Sequence, residues 1–287
     1  SEQLSDPKQR PQINRATQEN YAPGSIFKIV VGLACLEAGL DPKERIHSPG
    51  HIFVGKRLIK DTAQEGEYDF RRALKLSSNT YFITNGLNAG IENIVKIGQQ
   101  FHLGDTNRLL PTRQETAGIF PSPKRVTSNW HDGDTANLCI GQGKIAVTPL
   151  QMAVMTAAIA NGGKVFWPRL VDHFEQQELL PGAPAVVSVP RRVRDELSVK
   201  PRNLAIIREA MLADVEDSDG TGTRAFVAGM RICAKTGTAQ VMNERHQIID
   251  HTTWFVSFAP YESPRYVVVV MVESGGSGGG TCAPIAH

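Results

Sequence analysis

Ser25 and Lys28 are the first pair of residues whose types and spacing could support covalent chemistry. Residues three apart share one face of a helix, so the two side chains would meet at the start of the apolar segment 26–36. Backbone N–H groups at a helix start are unpaired and favour negative charge. A serine hydroxyl needs an adjacent base, and a lysine serves as that base only when burial or a second cation lowers its pKa. The alternative is a serine helix cap followed by an exposed lysine.

A second motif, Ser77-Ser78-Asn79, lies at a break in a helical stretch. A hydroxyl and an amide two residues apart can point into one cleft from such a break. Ser77 could relay a proton there, and Asn79 could hold a substrate amide. The same residue types also form helix caps and turns, so this motif alone does not separate the two interpretations.

The third motif, Lys235-Thr236-Gly237-Thr238, lies on a predicted strand. Strand alternation places Lys235 and Gly237 on one face and Thr236 and Thr238 on the other. Gly237 removes side-chain bulk, so an extended peptide could lie against the strand edge. Lys235 and the hydroxyls would attract a terminal carboxylate, and Lys235 could be the cation that lowers the lysine pKa in the first motif. The alternative is a surface strand with a lysine and a turn glycine.

The elements that would position these motifs run from helices to strands along the chain. Segment 26–36 is apolar on nearly every side, which is typical of a helix inside a domain. Further helices are predicted over 70–86 with the break at 77–79, and over 91–102, 149–160 and 201–215. Strands are predicted over 232–241, 253–259 and 266–272, of which the last suits a central strand covered on both faces. Residues 275–280 are predicted to form a flexible glycine-serine tract. The order of the elements, helices first and strands last, favours an α+β fold.

The composition is that of an ordinary globular chain. The 287 residues are 41% hydrophobic and 21% charged, with a formal net charge of +2 and no basic stripe. Nucleic acid is therefore not an indicated partner. The four cysteines are widely spaced without a CxxC pair, so we expect buried thiols rather than disulfides. No stretch approaches the ~18–20 apolar residues that cross a bilayer.

Taken together and in this order, the three motifs resemble the transpeptidase domain of class B penicillin-binding proteins. The resemblance covers nearly the whole chain. It is also carried by Asn14-Arg15-Ala16, the segment 21–28, Gly141-Gln142-Gly143, Thr148-Pro149-Leu150-Gln151, Gly222-Thr223, and the segments 235–240 and 254–260. Segment 77–82 is more similar to the elongation-type subgroup, that of penicillin-binding protein 2, than to the division subgroup.

The resemblance implies the serine β-lactamase/penicillin-binding transpeptidase fold, an antiparallel sheet flanked by helices with an all-helical subdomain. We expect one transpeptidase domain fragment over 1–287. Its helical part would cover about 29–230, and its sheet would be formed mainly by 231–287 with the N-terminal segment. A membrane anchor and a pedestal domain are expected outside this sequence. The anchor would lie in the inner (cytoplasmic) membrane, with the catalytic domain on the periplasmic or extracellular side.

The resemblance also implies a role for each motif residue. Ser25 would form an acyl-enzyme with the penultimate D-Ala of a peptidoglycan stem peptide, with Lys28 as base and Ser77 as proton shuttle to the leaving D-Ala. The N–H groups of Ser25 and Thr238 would form an oxyanion hole, worth roughly 3–4 kcal/mol per donor in other acyl-transfer enzymes. The substrate-binding residues would be Asn79, Lys235, Thr236, Gly237 and Thr238.

The implied partners are stem peptides ending in D-Ala-D-Ala, β-lactams that imitate them, a membrane glycosyltransferase and proteins of the elongation complex. No cofactor is expected. Two other functions stay open on the same motifs: a serine β-lactamase, although no Glu-x-x-Leu-Asn segment is present, and a β-lactam-sensing receptor that is acylated without cross-linking. His47 and His51 with Asp61 could suggest a metal site, but no third soft ligand stands beside them, and we expect none.

Overall fold

The computed structural model describes residues 10–175, 186–245 and 247–287. Its helices are α1 (Lys28–Glu37), α2 (Phe70–Leu76), α3 (Asn79–Ala89), α4 (Ile91–Gln100), α5 (Pro123–Ser128), α6 (Asp132–Cys139), α7 (Pro149–Ala160), α8 (Pro201–Glu216) and α9 (Ala283–Ala286). Its strands are β1 (Ile46–Ser48), β2 (His51–Val54), β3 (Arg57–Lys60), β4 (Gly66–Tyr68), β5 (Lys164–Phe166), β6 (His173–Glu175), β7 (Val186–Ser188), β8 (Val193–Glu196), β9 (Cys233–Met242), β10 (Ile248–Ala259) and β11 (Tyr266–Glu273).

Helix α1 forms the centre of the main hydrophobic core. Every residue from its start at Lys28 to Leu36 is buried, as the predicted all-round apolar pattern requires. The helix is continuous with a 3₁₀ turn, Gly24–Phe27. At Gly32 an added Cβ would lie 2.8 Å from the Phe70 ring, so α2 and α3 pack closely onto this face. The prediction of a central helix is confirmed.

The break between α2 and α3 is an ordered turn that joins two capped helices. Asp69 caps α2 by accepting from the Arg72 N–H, and Ser78 caps α3 by accepting from the Tyr81 N–H. Between them Ser77 adopts a left-handed conformation with φ of +62°. The left-handed residue turns the chain, so that α3 starts in a new direction at Asn79.

The main sheet has three antiparallel strands in the order β11-β10-β9 among the described residues. The prediction that segment 266–272 is the central strand is therefore wrong, because β10 is central and β11 lies at one edge. The valine run is explained by packing on two faces: Val267 and Val269 contact the main core, while Val270 and Val272 contact a second cluster around Phe255.

The N-terminal segment holds onto this sheet largely through side chains. Arg15 pairs with Glu273 at the end of β11, and Trp254 of β10 donates its indole N–H to Ala22 O at 3.0 Å. Tyr21 forms an isolated bridge with Val147, outside the three-stranded sheet. In the described residues this segment thus lies beside the sheet without adding a strand to it.

The part of the chain between α1 and β9 is not wholly helical. Four two-stranded antiparallel pairs occur there among the described residues: β1-β4, β2-β3, β5-β8 and β6-β7. Their strands are three or four residues long, too short for a clear alternation signal in the sequence. The prediction of an all-helical subdomain is incomplete for this reason.

The glycine tract 275–280 is packed, which corrects its interpretation as a flexible linker. A Cβ added at Gly278 would lie 2.4 Å from Trp254 O, and one at Gly279 would lie 2.2 Å from Thr221 O. These glycines let the chain lie directly on the sheet. All four cysteines are buried free thiols, as predicted. In the described residues, none of the helices combines the length and the hydropathy needed to span a bilayer.

Candidate active site

Ser25 lies on a turn that is held between strand β9 and a second glycine turn. Gly24 has φ of +57°, and its N–H donates to Gly141 O at 2.9 Å. A Cβ at Gly24 would lie 2.9 Å from Thr238 O, and one at Gly141 would lie 2.0 Å from Gly24 O. Only glycines allow these backbone contacts, which fix Ser25 at the mouth of a cleft with 9% of its surface exposed.

Lys28 brings the first two motifs together. Its Nζ lies 2.5 Å from Ser77 O, 3.2 Å from Ser77 Oγ and 2.7 Å from Asn79 Oδ1. The side chain is fully buried, one turn after Ser25, whose carbonyl accepts from the Lys28 N–H. The alternative of an exposed lysine is thereby removed.

The surroundings of Lys28 favour a neutral amine. Burial, and then the nearby positive charge of Lys235, hold the pKa of Lys28 well below its usual range. A neutral amine has two N–H bonds and one lone pair. Ser77 O and Asn79 Oδ1 can only accept hydrogen bonds, so they take both N–H groups. The lone pair is then left for a hydroxyl proton, as a general base requires.

The orientation of the Asn79 amide is fixed by its second contact. Nδ2 donates to Lys60 O at 2.9 Å, so Oδ1 must be the atom that faces Lys28. Asn79 lines the cleft, but both ends of its amide are engaged within the protein. In this structure it positions Lys28, while its second N–H and second lone pair leave the predicted contact with a substrate amide as a prediction.

Asp61 organises the second motif and was not predicted as a site residue. Its carboxylate accepts from Ser48 Oγ at 2.7 Å, Ser78 Oγ at 2.8 Å, the Asn79 N–H at 2.5 Å and the Thr80 N–H at 3.1 Å. Burial alone would raise the pKa of Asp61, but the hydrogen bonds from Ser48, Thr80 and Ser78 outweigh it and keep the pKa low. The ionised carboxylate therefore clamps the α2–α3 junction.

Lys235 on β9 is fully buried and does not line the cleft, unlike its three neighbours Thr236, Gly237 and Thr238. Its Nζ donates to Thr236 O at 3.2 Å. Burial lowers the pKa of Lys235, an effect that the negative charge of Asp214 opposes. The structure thus supports Lys235 as the cation beside Lys28, while a direct contact with a substrate carboxylate would require it to move.

The need for glycine at position 237 comes from packing within the protein, which differs from the predicted reason. A Cβ at this position would lie 2.9 Å from Ile26 Cγ2, 3.0 Å from Pro23 O and 3.2 Å from Trp254 Cβ. Strand β9 is an edge strand, as an added peptide strand would need. Because Gly237 has no side chain, that edge can pack directly against the Ser25 turn.

Two cavities meet at Ser25 and form the arms of one cleft. The first, of about 520 Å³, we call the glycine-tract arm; its lining includes Ser77, Thr221, Arg224, Thr236 and residues 277–280. The second, of about 730 Å³, we call the Gln240 arm; its lining includes Arg57, Lys60, Asn79, Gln142 and Gln240. Ser25, Thr62 and Thr238 line both arms.

Three further residues lie in or behind this cleft and were not predicted from the sequence: Asp214, Thr221 and Arg224. Asp214 Oδ1 accepts from Thr221 Oγ1 at 2.6 Å and from the Thr221 N–H at 2.9 Å. Thr221 Oγ1 lies 2.5 Å from Thr236 Oγ1. Gly222-Thr223, quoted above for the family resemblance, was the one sequence signal that pointed to this segment.

The suggested metal residues have other partners. His47 Nδ1 pairs with Glu67, His51 Nδ1 contacts Pro49 O, and Asp61 accepts from the hydroxyl and amide groups already described. No cluster of three or more metal-ligating side chains occurs within 10–175, 186–245 and 247–287.

A nucleophile turn leading into a buried helix, a lysine one turn deeper and a Lys-Thr-Gly edge strand define the class of serine acyl-enzyme proteins that includes penicillin-binding proteins and serine β-lactamases. The model of the penicillin-binding protein transpeptidase domain matches residues 1–287. This chain belongs to that family.

Named relatives agree with this assignment. Peptidoglycan D,D-transpeptidase MrdA of Haemophilus influenzae is 32% identical over 303 residues, covering 97% of this chain and 45% of the relative. Peptidoglycan D,D-transpeptidase PbpA of Mycolicibacterium smegmatis is 29% identical over 302 residues, covering 100% of this chain and 57% of the relative. The chain thus spans about half the length of the curated relatives it matches.

Solved structures confirm the predicted fold and the resemblance to the penicillin-binding protein 2 type. Pseudomonas aeruginosa PBP2 in complex with WCK 5153 matches with a TM-score of 0.81 at 31% identity, covering 99% of this chain and 63% of that one. Helicobacter pylori PBP2 in complex with MreC gives 0.81 at 30% identity, with 99% and 52% covered. The ceftriaxone acyl-enzyme of penicillin-binding protein A from Mycobacterium tuberculosis gives 0.83 at 28% identity, with 99% and 63% covered.

Proposed function

We propose that this chain is the catalytic domain of a peptidoglycan D,D-transpeptidase that cross-links stem peptides through an acyl-enzyme on Ser25. Family membership and relatives named D,D-transpeptidase support the reaction type. The observation that carries the mechanism is the Lys28 amine, buried, held between Ser77 and Asn79, and one turn away from Ser25.

In the proposed acylation step, Lys28 takes the proton of Ser25 Oγ as this oxygen attacks the carbonyl carbon of the penultimate D-Ala. A C–O bond forms and the peptide C–N bond breaks. Ser77 Oγ, 3.2 Å from Lys28 Nζ, passes the proton on to the leaving nitrogen, so that D-Ala departs as a neutral amine. An ester on Ser25 remains, and Lys28 is again neutral.

The N–H groups of Ser25 and Thr238 are the proposed oxyanion hole. Thr238 O lies against the Gly24 turn. Because the N–H and C=O of one strand residue point to the same side, the Thr238 N–H faces the same turn. A donor of this kind lowers the barrier of acyl transfer by about 3–4 kcal/mol in other enzymes.

In the second step, the amine of a neighbouring stem peptide attacks the ester carbon. Its proton travels back through Ser77 and Lys28 to Ser25 Oγ as the C–O bond breaks and a new C–N bond forms. A β-lactam would enter the first step in place of D-Ala-D-Ala. Its leaving nitrogen stays tethered in the opened ring, so the second step would stall.

The chain would work as part of a longer membrane-anchored protein, with an anchor and a pedestal domain outside residues 1–287. This proposal is supported by the fact that the chain covers only about half the length of the curated relatives it matches. The catalytic domain would face the peptidoglycan outside the cytoplasmic membrane. A glycosyltransferase and proteins of the elongation complex would be its partners; the Helicobacter pylori relative was solved in complex with MreC.

Covalent labelling tests the nucleophile. The chain is incubated with a fluorescent penicillin, digested, and the labelled peptide is sequenced by mass spectrometry. We expect the label on Ser25 and none in a Ser25→Ala variant, with Ser128→Ala, at an exposed serine of α5, as a serine control that retains labelling. A label on any other residue would overturn the mechanism.

Product analysis separates the transpeptidase from the two alternatives. The chain receives a pentapeptide donor and an amine acceptor, and products are identified by mass. A cross-linked dimer with release of D-Ala supports the proposal. Fast hydrolysis of nitrocefin would instead indicate a β-lactamase, and stable acylation by penicillin without any dimer would indicate a sensor.

A further inference from the structure

A cavity of about 280 Å³ lies outside the catalytic cleft and, in the described part of the chain, shares no lining residue with either arm of that cleft. It is lined by Arg108, Arg169 and Arg192, together with Trp167, two prolines and a valine. Every ionisable side chain among these described lining residues is therefore a guanidinium. The volume is below the about 300–1,000 Å³ of sites for drug-sized ligands, so the cavity suits one small anionic group.

The cavity lies in the gap between the β5–β8 pair and the β6–β7 pair. At one end of the gap the Trp167 N–H donates to Arg192 O at 2.9 Å, which joins the two chain segments that link these pairs. Beyond this bond come Pro168 and Pro190, one in each segment, and neither has an N–H to donate to the other segment. The ladder is interrupted there, and the gap holds a cavity instead of paired backbone.

The Trp167 indole places a guanidinium at the cavity wall. The guanidinium carbon of Arg108 lies 5.2 Å from the indole ring centre, and that of Arg194 lies 4.2 Å from it. Arg194 is 9% exposed and donates to Thr106 O and Asp105 Oδ2, each at 3.1 Å. Because Arg194 and its partners hold the indole in place, the cation–π contact with Trp167 also orients Arg108.

Two of the three cavity arginines keep N–H donors for a ligand. Among the described residues, neither Arg108 nor Arg192 forms an ion pair with a carboxylate. Glu115 lies near Arg108, but both of its oxygens accept from backbone N–H groups. Arg169 differs, since it pairs with Asp172. A guanidinium has five N–H donors, so an anion in the cavity can receive hydrogen bonds from two planar forks.

This arrangement favours a phosphate group over a carboxylate. Arg108 belongs to the loop after α4, whereas Arg192 belongs to the segment between β7 and β8, so the two forks come from different parts of the chain. A carboxylate has two oxygens in one plane and matches a single fork, while a phosphate has oxygens that point in several directions. The cavity can therefore use both guanidiniums on one phosphate.

The surface beside the cavity is apolar and exposed, which indicates what carries the phosphate. Leu170 follows Arg169 directly in the chain and is 72% exposed. Phe174 on β6 is 61% exposed, and its cross-strand partner Val187 on β7 is 45% exposed. Exposed apolar side chains next to arginines are typical of a surface that contacts a bilayer, where apolar groups enter the headgroup region and arginines meet phosphates.

The charge of this surface agrees with a lipid partner. Asp172 pairs with Arg169, so its charge is offset. The exposed Glu175 is left as one negative charge. It is opposed by three arginines that form no ion pair with a carboxylate among the described residues: Arg108, Arg191 and Arg192.

We propose that Arg108, Arg169 and Arg192 bind the phosphate of a membrane phospholipid, with the exposed apolar side chains of β6 and β7 in the headgroup region. This site lies outside the cleft, and it does not depend on the function proposed for Ser25. In the bound state the end of the domain that carries β6 and β7 lies on the bilayer surface.

Vesicle binding tests this site. The chain is mixed with vesicles of phosphatidylcholine, with or without phosphatidylglycerol, and the bound fraction is measured by flotation. In a second arm, tryptophan fluorescence follows a titration with glycerophosphate, which has the phosphate without the acyl chains. We expect saturable binding to the vesicles that contain phosphatidylglycerol. Binding to pure phosphatidylcholine, whose choline cation would meet the arginines, and to glycerophosphate should be much weaker.

Neighbouring arginines supply a matched pair of variants. Arg192→Gln should weaken vesicle binding by about 10- to 100-fold, the usual range for a hydrogen bond to a charged group. Arg191→Gln removes the same charge next to the cavity without changing its lining, and it should weaken binding by about fivefold or less. Phe174→Ser should weaken binding to vesicles and leave binding of glycerophosphate unchanged. All three variants should keep the melting temperature and the penicillin labelling of the unaltered chain, since none of these residues lines the cleft.

Three results would each overturn the assignment. Equal losses in Arg191→Gln and Arg192→Gln would show general attraction to an anionic surface in place of a phosphate site. Glycerophosphate binding as tight as vesicle binding, together with no effect of Phe174→Ser, would identify a free phosphate as the ligand. Absence of binding to every vesicle would remove the lipid as a partner, while labelling of Ser25 by penicillin would remain as evidence for the proposed function.

Discussion

At the residue scale, the chemistry of Lys28 depends on what surrounds its amine. Two acceptor oxygens orient it, burial removes water, and the nearby charge of Lys235 disfavours a second positive charge. None of these contributions comes from the residues next to Lys28 in the chain. The Ser-x-x-Lys spacing indicated the pair, but the lowered pKa is a property of three separate segments brought together.

Acylation should therefore depend on the ionisation of Lys28. Only the neutral amine accepts the Ser25 proton, so the acylation rate constant should rise with pH through the lowered pKa and then level off. Stopped-flow acylation by a chromogenic penicillin between about pH 5 and 10 measures this. Lys28→Met should lower the rate about 10²- to 10⁴-fold, the usual contribution of a general base.

The charge of Lys235 should set the pH at which the acylation rate constant rises. Lys235→Gln removes a positive charge near Lys28, so the pKa of Lys28 should increase and the profile should move to higher pH. Lys235→Arg retains the charge and is the matched control. An unmoved profile in Lys235→Gln would show that the two amines do not interact.

At the element scale, the site depends on the α2–α3 junction and on the fit of β9 against the Ser25 turn. The junction was predicted from its helix-breaking residues, yet the carboxylate that clamps it comes from the loop after β3. Asp61 is far from Ser78 in the sequence, and a lone aspartate in a loop gives no signal of such a role. The donors from Ser48, Ser78, Asn79 and Thr80 converge on it only in the folded chain.

Loss of the Asp61 charge should loosen this junction. Asp61→Ala leaves several buried donors without an acceptor, at about 1–3 kcal/mol for each unsatisfied group. We expect a lower melting temperature and slower acylation, because Asn79 and Ser77 would no longer hold the Lys28 amine. Asp132→Ala, in the exposed first turn of α6, is a control that should leave the acylation rate unchanged.

The contact between β9 and the Ser25 turn can be tested at Gly237. Gly237→Ala forces a methyl group into Ile26 and the Pro23 carbonyl, at a cost of about 1–3 kcal/mol for overpacking. Urea denaturation should show that loss, and penicillin labelling should slow because the turn is displaced. Gly133→Ala is the matched control, since a Cβ there meets nothing within 4 Å.

At the scale of the whole molecule, two buried lysines with lowered pKa values make stability depend on pH. The unfolded chain binds protons at Lys28 and Lys235 that the folded chain holds less tightly. Between the lowered folded pKa and the usual value of 10.5, the free energy of unfolding should therefore rise with pH. Below the folded pKa both states carry the proton, and this slope vanishes.

Urea titrations at several alkaline pH values measure this slope. Lys28→Met removes one of the two groups, so its unfolding free energy should rise less steeply with pH than that of the unaltered chain. It should also be the more stable protein near neutral pH, because a buried ionisable group is replaced by an apolar one of similar length. A parallel slope in both proteins would contradict the buried, deprotonated state of Lys28.

The sequence by itself determined the buried nucleophile helix, the three motifs and their order, the α+β class, and the strand that carries the Lys-Thr-Gly segment. These features could be predicted because each depends on residue spacing, propensity or turn chemistry over a few neighbouring residues. Only the tertiary structure decided which strand is central, why Gly237 must be glycine, and that the glycine tract is packed. It also decided that Lys235 is buried while Arg224 faces the cleft, since burial and charge at a site depend on segments that the chain brings together only when it folds.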